Sequence, residues 1–218
     1  MKSRARTPEK KAKQFEKIIE MGKELFVKYG SFGFSLRELA QKLKMAQSNL
    51  YNYAESKREL WIAIRIRYFT EFEEGFSKIV KKHGDNYVEL WNELTRYFLD
   101  FAAADNKRFE MMFFVRAPPS DKIGPYEEKY RPLKLMEKGI DIVYQSMAEG
   151  KYRENDPIGL YYYMYASCLG AAKIEADLKL NYKITEPLTI EKNMLSSEEF
   201  RSFFLKEFRD RLEKAFID

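Results

Sequence analysis

One cysteine and one histidine stand in 218 residues, and that scarcity removes several classes of chemistry at once. A single thiol, Cys168, forms no intrachain disulfide and builds no thiolate metal cluster. It falls in an apolar helical run, where its expected role is that of a small buried hydrophobe. His83, in "KKHGDN", reads as a residue at a helix end, with no acid or nucleophile spaced to make it catalytic. The chain also lacks HExxH, a glycine-rich phosphate loop and any defensible pairing of acid and base, so neither an enzyme nor a metal or cofactor site is expected. Its longest apolar stretch, "LYYYMYASCLGAA", is too short to span a bilayer. The N-terminal "MKSRARTPEKK" has charge without an apolar core, unlike a signal peptide, and the expected location is cytoplasmic.

Hydrophobic residues make up 45% and aromatics 16%, a composition able to bury a core. The formal charge of +5 is unevenly placed. Up to Arg67 there are 16 basic residues against 7 acidic; thereafter 23 stand against 27. A basic first third on a mildly acidic body suits a polyanion-binding head, although a solvated lysine-rich surface gives the same balance.

Apolar residues recur at three- and four-residue spacing almost throughout, which predicts an all-α fold of about nine helices. Phe15, Ile18, Ile19, Leu25, Phe26 and Tyr29 form one face of a first helix ended by Gly30. "SLRE" at Ser35–Glu38 has capping-box spacing and opens a short helix; after a turn near Lys44–Ala46 a second short helix runs through Tyr53. "SKRE" at Ser56–Glu59 is a second capping box, starting a long helix to about Lys81. Helices follow around Tyr87–Phe101 and Phe109–Phe113, then the proline loop "RAPPSDKIGP" and a long helix over about Tyr126–Glu149, in which Pro132 delays the start or introduces a kink. Asp156 and Pro157 open the next helix, to about Leu180; 181–195 reads as a connector with room for extended pieces; "SSEE" caps the last helix. The expected organisation is a basic arm over 1–13, a three-helix head over 14–58 and a larger helical body over 59–218.

Two short helices joined by a tight turn in a basic region are what a helix-turn-helix requires. Leu36, Leu39, Leu43, Met45 and Leu50 would hold the pair together, leaving Gln47, Ser48, Asn49 and Asn52 facing outward. Amide side chains offer a donor and an acceptor to a base edge, and a short helix fits the major groove. Tyr51, Tyr53 and Lys57 carry groups suited to phosphate oxygens, and with Ser35 and Arg37 they complete the candidate DNA-binding set. The arm is either a phosphate-tracking tail or a solvated one.

The stretch "FSLRELAQKLKMAQSNLYNYAESKRELWIAI" resembles the DNA-binding domain of the tetracycline-repressor (TetR) family of transcriptional regulators, in Leu50-Tyr51, Tyr53, Ser56-Lys57 and Glu59-Leu60. It departs from the family in Lys44, where glycine is usual, in Ala46, where a serine cap is usual, and in Ala54, where an aromatic is common. The resemblance implies a homodimer formed by the last two long helices, a near-palindromic operator and an effector pocket in the body. Small residues Ala166 and Gly170 in line with Ile174, and the face of Phe200, Phe204 and Phe208, are the candidate dimer contacts. Candidate pocket residues are Phe72, Phe76, Trp91, Phe98, Phe101, Met112, Phe113, Arg116, Met136, Tyr144, Tyr161 and Tyr165, a lining suited to a small, largely apolar effector. Arg116 offers a partner to an anionic head group, Glu110 or Glu175 to a cationic one. The resemblance therefore points to an effector-responsive DNA-binding regulator, most often a repressor. The competing reading is a helical protein-interaction module that has lost DNA binding.

Overall fold

The computed structural model describes residues 7–84, 86–120, 123–132, 134–184 and 195–217. These form ten α-helices and no β-strand among the described residues: α1 Pro8–Tyr29, α2 Leu36–Lys42, α3 Gln47–Tyr51, α4 Lys57–His83, α5 Tyr87–Ala104, α6 Asn106–Phe113, α7 Pro125–Lys129, α8 Lys134–Ala148, α9 Pro157–Ile184 and α10 Ser197–Ala215. The count exceeds the expectation by one because the helix expected over 126–149 is divided. Pro132 lies between α7 and α8, where its ring and missing N–H forbid continuation. Most of the expected connector, 185–194, and residues 1–6 of the expected arm lie outside the described residues.

Helix α1 starts at Pro8, earlier than its apolar stripe indicates. Thr7 accepts a hydrogen bond from the Lys10 amide, Pro8 occupies the first turn and Glu9 complements the helix dipole. Much of the expected arm is therefore the exposed first turns of α1. At the other end, Gly30 takes a positive φ of 66° and returns its N–H to Phe26.

The chain divides into two compact units. The first contains the chain up to Glu71 together with Lys107–Arg131. Its core is Ile18, Ile19 and Phe26 of α1, Leu36, Leu39 and Ala40 of α2, Leu50 of α3, Ala54, and Leu60 and Ile64 of α4, all buried. Leu60 and Ile64 lie against Gly22, where an added Cβ would come within 2.9 Å of Ile64. Ala54, smaller than the aromatic usual in the family, is 2% exposed and fills a core position.

The second unit contains Phe72–Asn106 and Pro132–Asp218. Helix α9 packs on α5, α8 and α10, and α10 also packs on α5. The rings of Tyr97, Phe98 and Phe101 surround Phe72 with centroids 5.0 to 5.9 Å away. Helix α9 begins as expected at Pro157, with Asp156 accepting from the Gly159 amide at 2.8 Å. Helix α10 has the complete capping box of Ser196 and Glu199. His83 ends α4 and pairs with Glu93.

Candidate nucleic-acid interface and the segment that buttresses it

Helices α2 and α3 are built by local chemistry. The Ser35 hydroxyl accepts from the Glu38 amide at 3.2 Å, and the Glu38 carboxylate accepts from the Ser35 amide at 2.6 Å, closing the expected box. At the far end the Lys44 amide donates to Gln41 and the Met45 amide to Ala40, the paired bonds of a Schellman turn. That turn puts Lys44 at φ 51°, in the left-handed region. The departure from the family's usual glycine thus keeps the turn and loads its cost on a lysine.

Helix α3 has Ala46 as its N-cap, without a side-chain acceptor. It is anchored by Leu50, fully buried, while Gln47, Ser48, Tyr51 and Asn52 are exposed and Asn49 is half-buried. Gln47 Nε2 donates to the Tyr51 hydroxyl at 3.2 Å, along one exposed edge of the helix. Arg37 is exposed on α2, whereas Ser35 spends its hydroxyl on the cap. Leu43 and Met45 are only half-buried; the Met45 sulfur receives the Gln14 amide at 3.8 Å.

Lys57 is less available than the sequence suggests. Its ammonium donates to the Phe34 carbonyl at 2.6 Å and sits 4.8 Å from the Phe34 ring centroid. Burial pushes its pKa down, opposed by the nearby charge of Glu38. Lys57 therefore ties α4 to the loop before α2. Tyr53 is half-buried and stacks on Phe15 of α1, centroids 6.0 Å apart and planes within 10°.

A third layer of this unit was not foreseen. The end of α6 and residues beyond it meet α4 and α1. Trp61 Nε1 donates to the Val115 carbonyl at 3.1 Å, Ser31 to the Arg116 carbonyl, and Arg65 to the Met112 carbonyl and to the Tyr130 hydroxyl. Arg58 reaches the Pro118 carbonyl and pairs with Glu127 at 2.5 Å. That pairing holds the Glu127 carboxyl below the usual carboxylate range. Glu59 corrects the expected second capping box. Ser56 does accept from the Glu59 amide, but the Glu59 carboxylate, 2% exposed, accepts instead from the backbone amides of Tyr126 and Glu127 at 3.2 and 3.1 Å. Gly124 lies so close to that carboxyl that a Cβ there would collide with it. Phe15 carries a second ring on its other contact, Tyr126, at 6.3 Å and 4°.

The expected effector-lining residues are dispersed. Phe72, Phe76, Trp91, Phe98, Phe101 and Tyr161 are buried in the second unit, with Phe72 against Phe98 and Phe101 and Trp91 against Tyr161, and Met136 and Tyr165 are half-buried there. Tyr144 is 46% exposed. Met112, Phe113 and Arg116 belong to the first unit; Met112 is buried, Phe113 half-buried and Arg116 exposed. A cavity of about 170 Å³ in the second unit lies elsewhere, between the end of α5 and α9, lined by Leu99, Ala102, Ala172, Ala176, Glu175 and Lys179 among others. Glu175, buried in its wall, pairs with Lys179 at 2.8 Å and Arg201 at 3.1 Å, so its charge is already answered.

Of the expected dimer contacts, Ala166, Gly170 and Ile174 form an exposed line on α9, with open space beside Gly170. Phe200 and Phe204 are half-buried. Phe208 differs from these two in its burial. It is 3% exposed within its own chain, on the side of α10 that closes the second unit's core.

The first unit is a helix-turn-helix head with a polar second helix, and the molecule is all-α among its described residues. Residues 18–64 match the family model of the bacterial regulatory proteins of the tetR family. The match covers the helix-turn-helix head and the start of α4. An HTH-type transcriptional regulator of Mycobacterium bovis is 23% identical over 117 residues, covering 50% of this chain and 49% of that protein. The chain thus aligns with about half the length of the curated relatives it matches. A tetR-family transcriptional regulator from Pectobacterium atrosepticum has a similar fold, with TM-score 0.59, 16% identity and coverage of 98% and 99%. So has AibR in its complex with isovaleryl coenzyme A and operator DNA, with TM-score 0.63, 19% identity and coverage of 89% of this chain and 97% of that one.

Proposed function

We propose that the protein is a sequence-specific DNA-binding transcriptional regulator, a non-enzymatic homodimer in the cytoplasm whose operator affinity responds to a small, largely apolar effector. The observation that carries the reading is α3, a short helix fixed by Leu50 that leaves Gln47, Ser48, Asn49 and Asn52 at or near the surface of a basic head. These side chains read base edges; Arg37, Tyr51 and the exposed lysines at the start of α1 meet phosphate oxygens. Lys57 adds positive potential while one of its donors stays on Phe34. The AibR complex, with an acyl-coenzyme A and operator DNA, supports effector control by analogy of fold alone. Such control requires that the effector bind one arrangement of the two heads better than another.

Selection of bound duplexes from a random pool, followed by binding to the winner at two salt concentrations, tests this reading. A near-palindrome with half-sites about 34 Å apart is expected, with affinity falling steeply as salt rises. Replacing Asn49 by Ala should relax discrimination at one base pair by about 1–3 kcal/mol. Absence of enrichment by a folded protein would instead favour a helical interaction module.

A further inference from the structure

We infer that the segment following α6, and Tyr126 in particular, positions the recognition helix from outside the helix-turn-helix. This inference rests on the proposed DNA-binding function. Two connections hold the segment, one leading to α3 and one to the start of α4. The first is a stack of three rings. Tyr126 lies on Phe15 and Phe15 lies on Tyr53, with planes within 4° and 10°. Tyr53 stands two residues past the end of α3, and its amide donates back to Leu50, the residue that anchors the recognition helix. The second connection runs through Glu59 at the start of α4. Its buried carboxylate holds the amides of Tyr126 and Glu127, while its own amide is held by Ser56.

The rings are stiff, two-torsion side chains at offset-stacking distance, so displacement of one displaces its neighbour. Helix α3 itself has little with which to fix its own pose: five residues, no side-chain cap and one fully buried side chain. The stack supplies a lateral reference that the short helix lacks. Gly124 permits it, because any side chain there would push the segment off Glu59. Tyr126 is therefore a positioning residue for DNA recognition that touches no base.

The test compares the full chain with Tyr126→Ala and Tyr126→Phe on the selected operator. Tyr126→Ala should weaken binding roughly three- to tenfold, the equivalent of one aromatic stacking contact. The salt slope should not change, since no phosphate contact is lost. Tyr126→Phe should restore wild-type affinity. Amide exchange in the free protein should quicken over 47–54 in Tyr126→Ala and stay at the wild-type rate over Ile18–Phe26. Should Tyr126→Ala fail to fold, Tyr126→Leu keeps apolar bulk without the flat ring and carries the same expectations. Wild-type affinity in the non-aromatic variant, or loss of affinity without faster exchange in α3, would overturn the inference. If wild type itself binds no DNA, the functional reading fails, and the exchange measurement alone then decides whether the stack holds α3.

Discussion

Lys44 shows how much conformational cost one residue carries. Among the described residues it is the sole non-glycine with positive φ, and the Schellman turn between α2 and α3 demands that conformation. A left-handed L-residue costs about 1–2 kcal/mol; glycine would remove this cost while adding about 0.4–1 kcal/mol of unfolded-chain entropy. Lys44→Gly should therefore raise stability by roughly 0.5–1 kcal/mol, read as a higher denaturant midpoint at unchanged slope. A lower midpoint would mean that the lysine side chain returns more than the turn costs. Cys168 makes a different kind of case. Burial pushes its thiol up to about 12, opposed by its hydrogen bond with Thr95. At pH 8 only about one molecule in ten thousand carries the thiolate. A disulfide reagent should leave the folded protein unmodified and label one thiol per chain after denaturation; labelling at equal rates in both states would contradict the buried position.

Elements made by local chemistry were legible in the sequence. The box of Ser35 and Glu38, the anchors Leu36, Leu39 and Leu50, the start of α9 at Pro157 and the cap of α10 all stand where spacing places them. The earlier start of α1 was legible too, in Thr7, Pro8 and Glu9, but polarity alone suggested an arm. The segment after α6 was not legible. Glu59 has correct box spacing, yet its carboxylate serves amides 67 and 68 residues away, and such a pairing leaves no periodicity to read. The same holds for the aromatic residues of the body. Sequence marks them as abundant, while packing decides which are buried, as Phe72 and Tyr161 are, and which stay exposed, as Tyr144 does. The segment also responds to acid. Arg58 hydrogen-bonds Glu127 and holds its carboxyl low, so this stabilisation is complete above the ordinary carboxylate range and disappears as pH falls through that range and below it. Wild type should exceed Glu127→Gln in thermal midpoint at pH 7, with the gap closing toward pH 3. A gap independent of pH would remove the charge from the account.

For the whole molecule, the exposed line Ala166, Gly170 and Ile174 on α9 is the surface on which the proposed dimer stands. Gly170 has open space where its Cβ would be, so a larger side chain there costs the isolated chain little. Gly170→Arg should leave helix content and thermal midpoint of the chain intact at low concentration, convert the sedimenting species to a monomer, and weaken operator binding by uncoupling two half-sites. A dimer that persists would move the interface elsewhere, with the half-buried pair Phe200 and Phe204 the next surface to alter.

The make-up of the first unit has a consequence during biosynthesis. Residues 8–71 leave the ribosome before Lys107–Arg131, with Phe72–Asn106 synthesised in between. In that interval Glu59 has no amides to hold, Arg58 no carboxylate, and Phe15 only one of its two ring neighbours. The nascent head can form its three helices and their core, but its outer layer is added late. Translation must therefore run well past the helix-turn-helix before that helix-turn-helix has its final support.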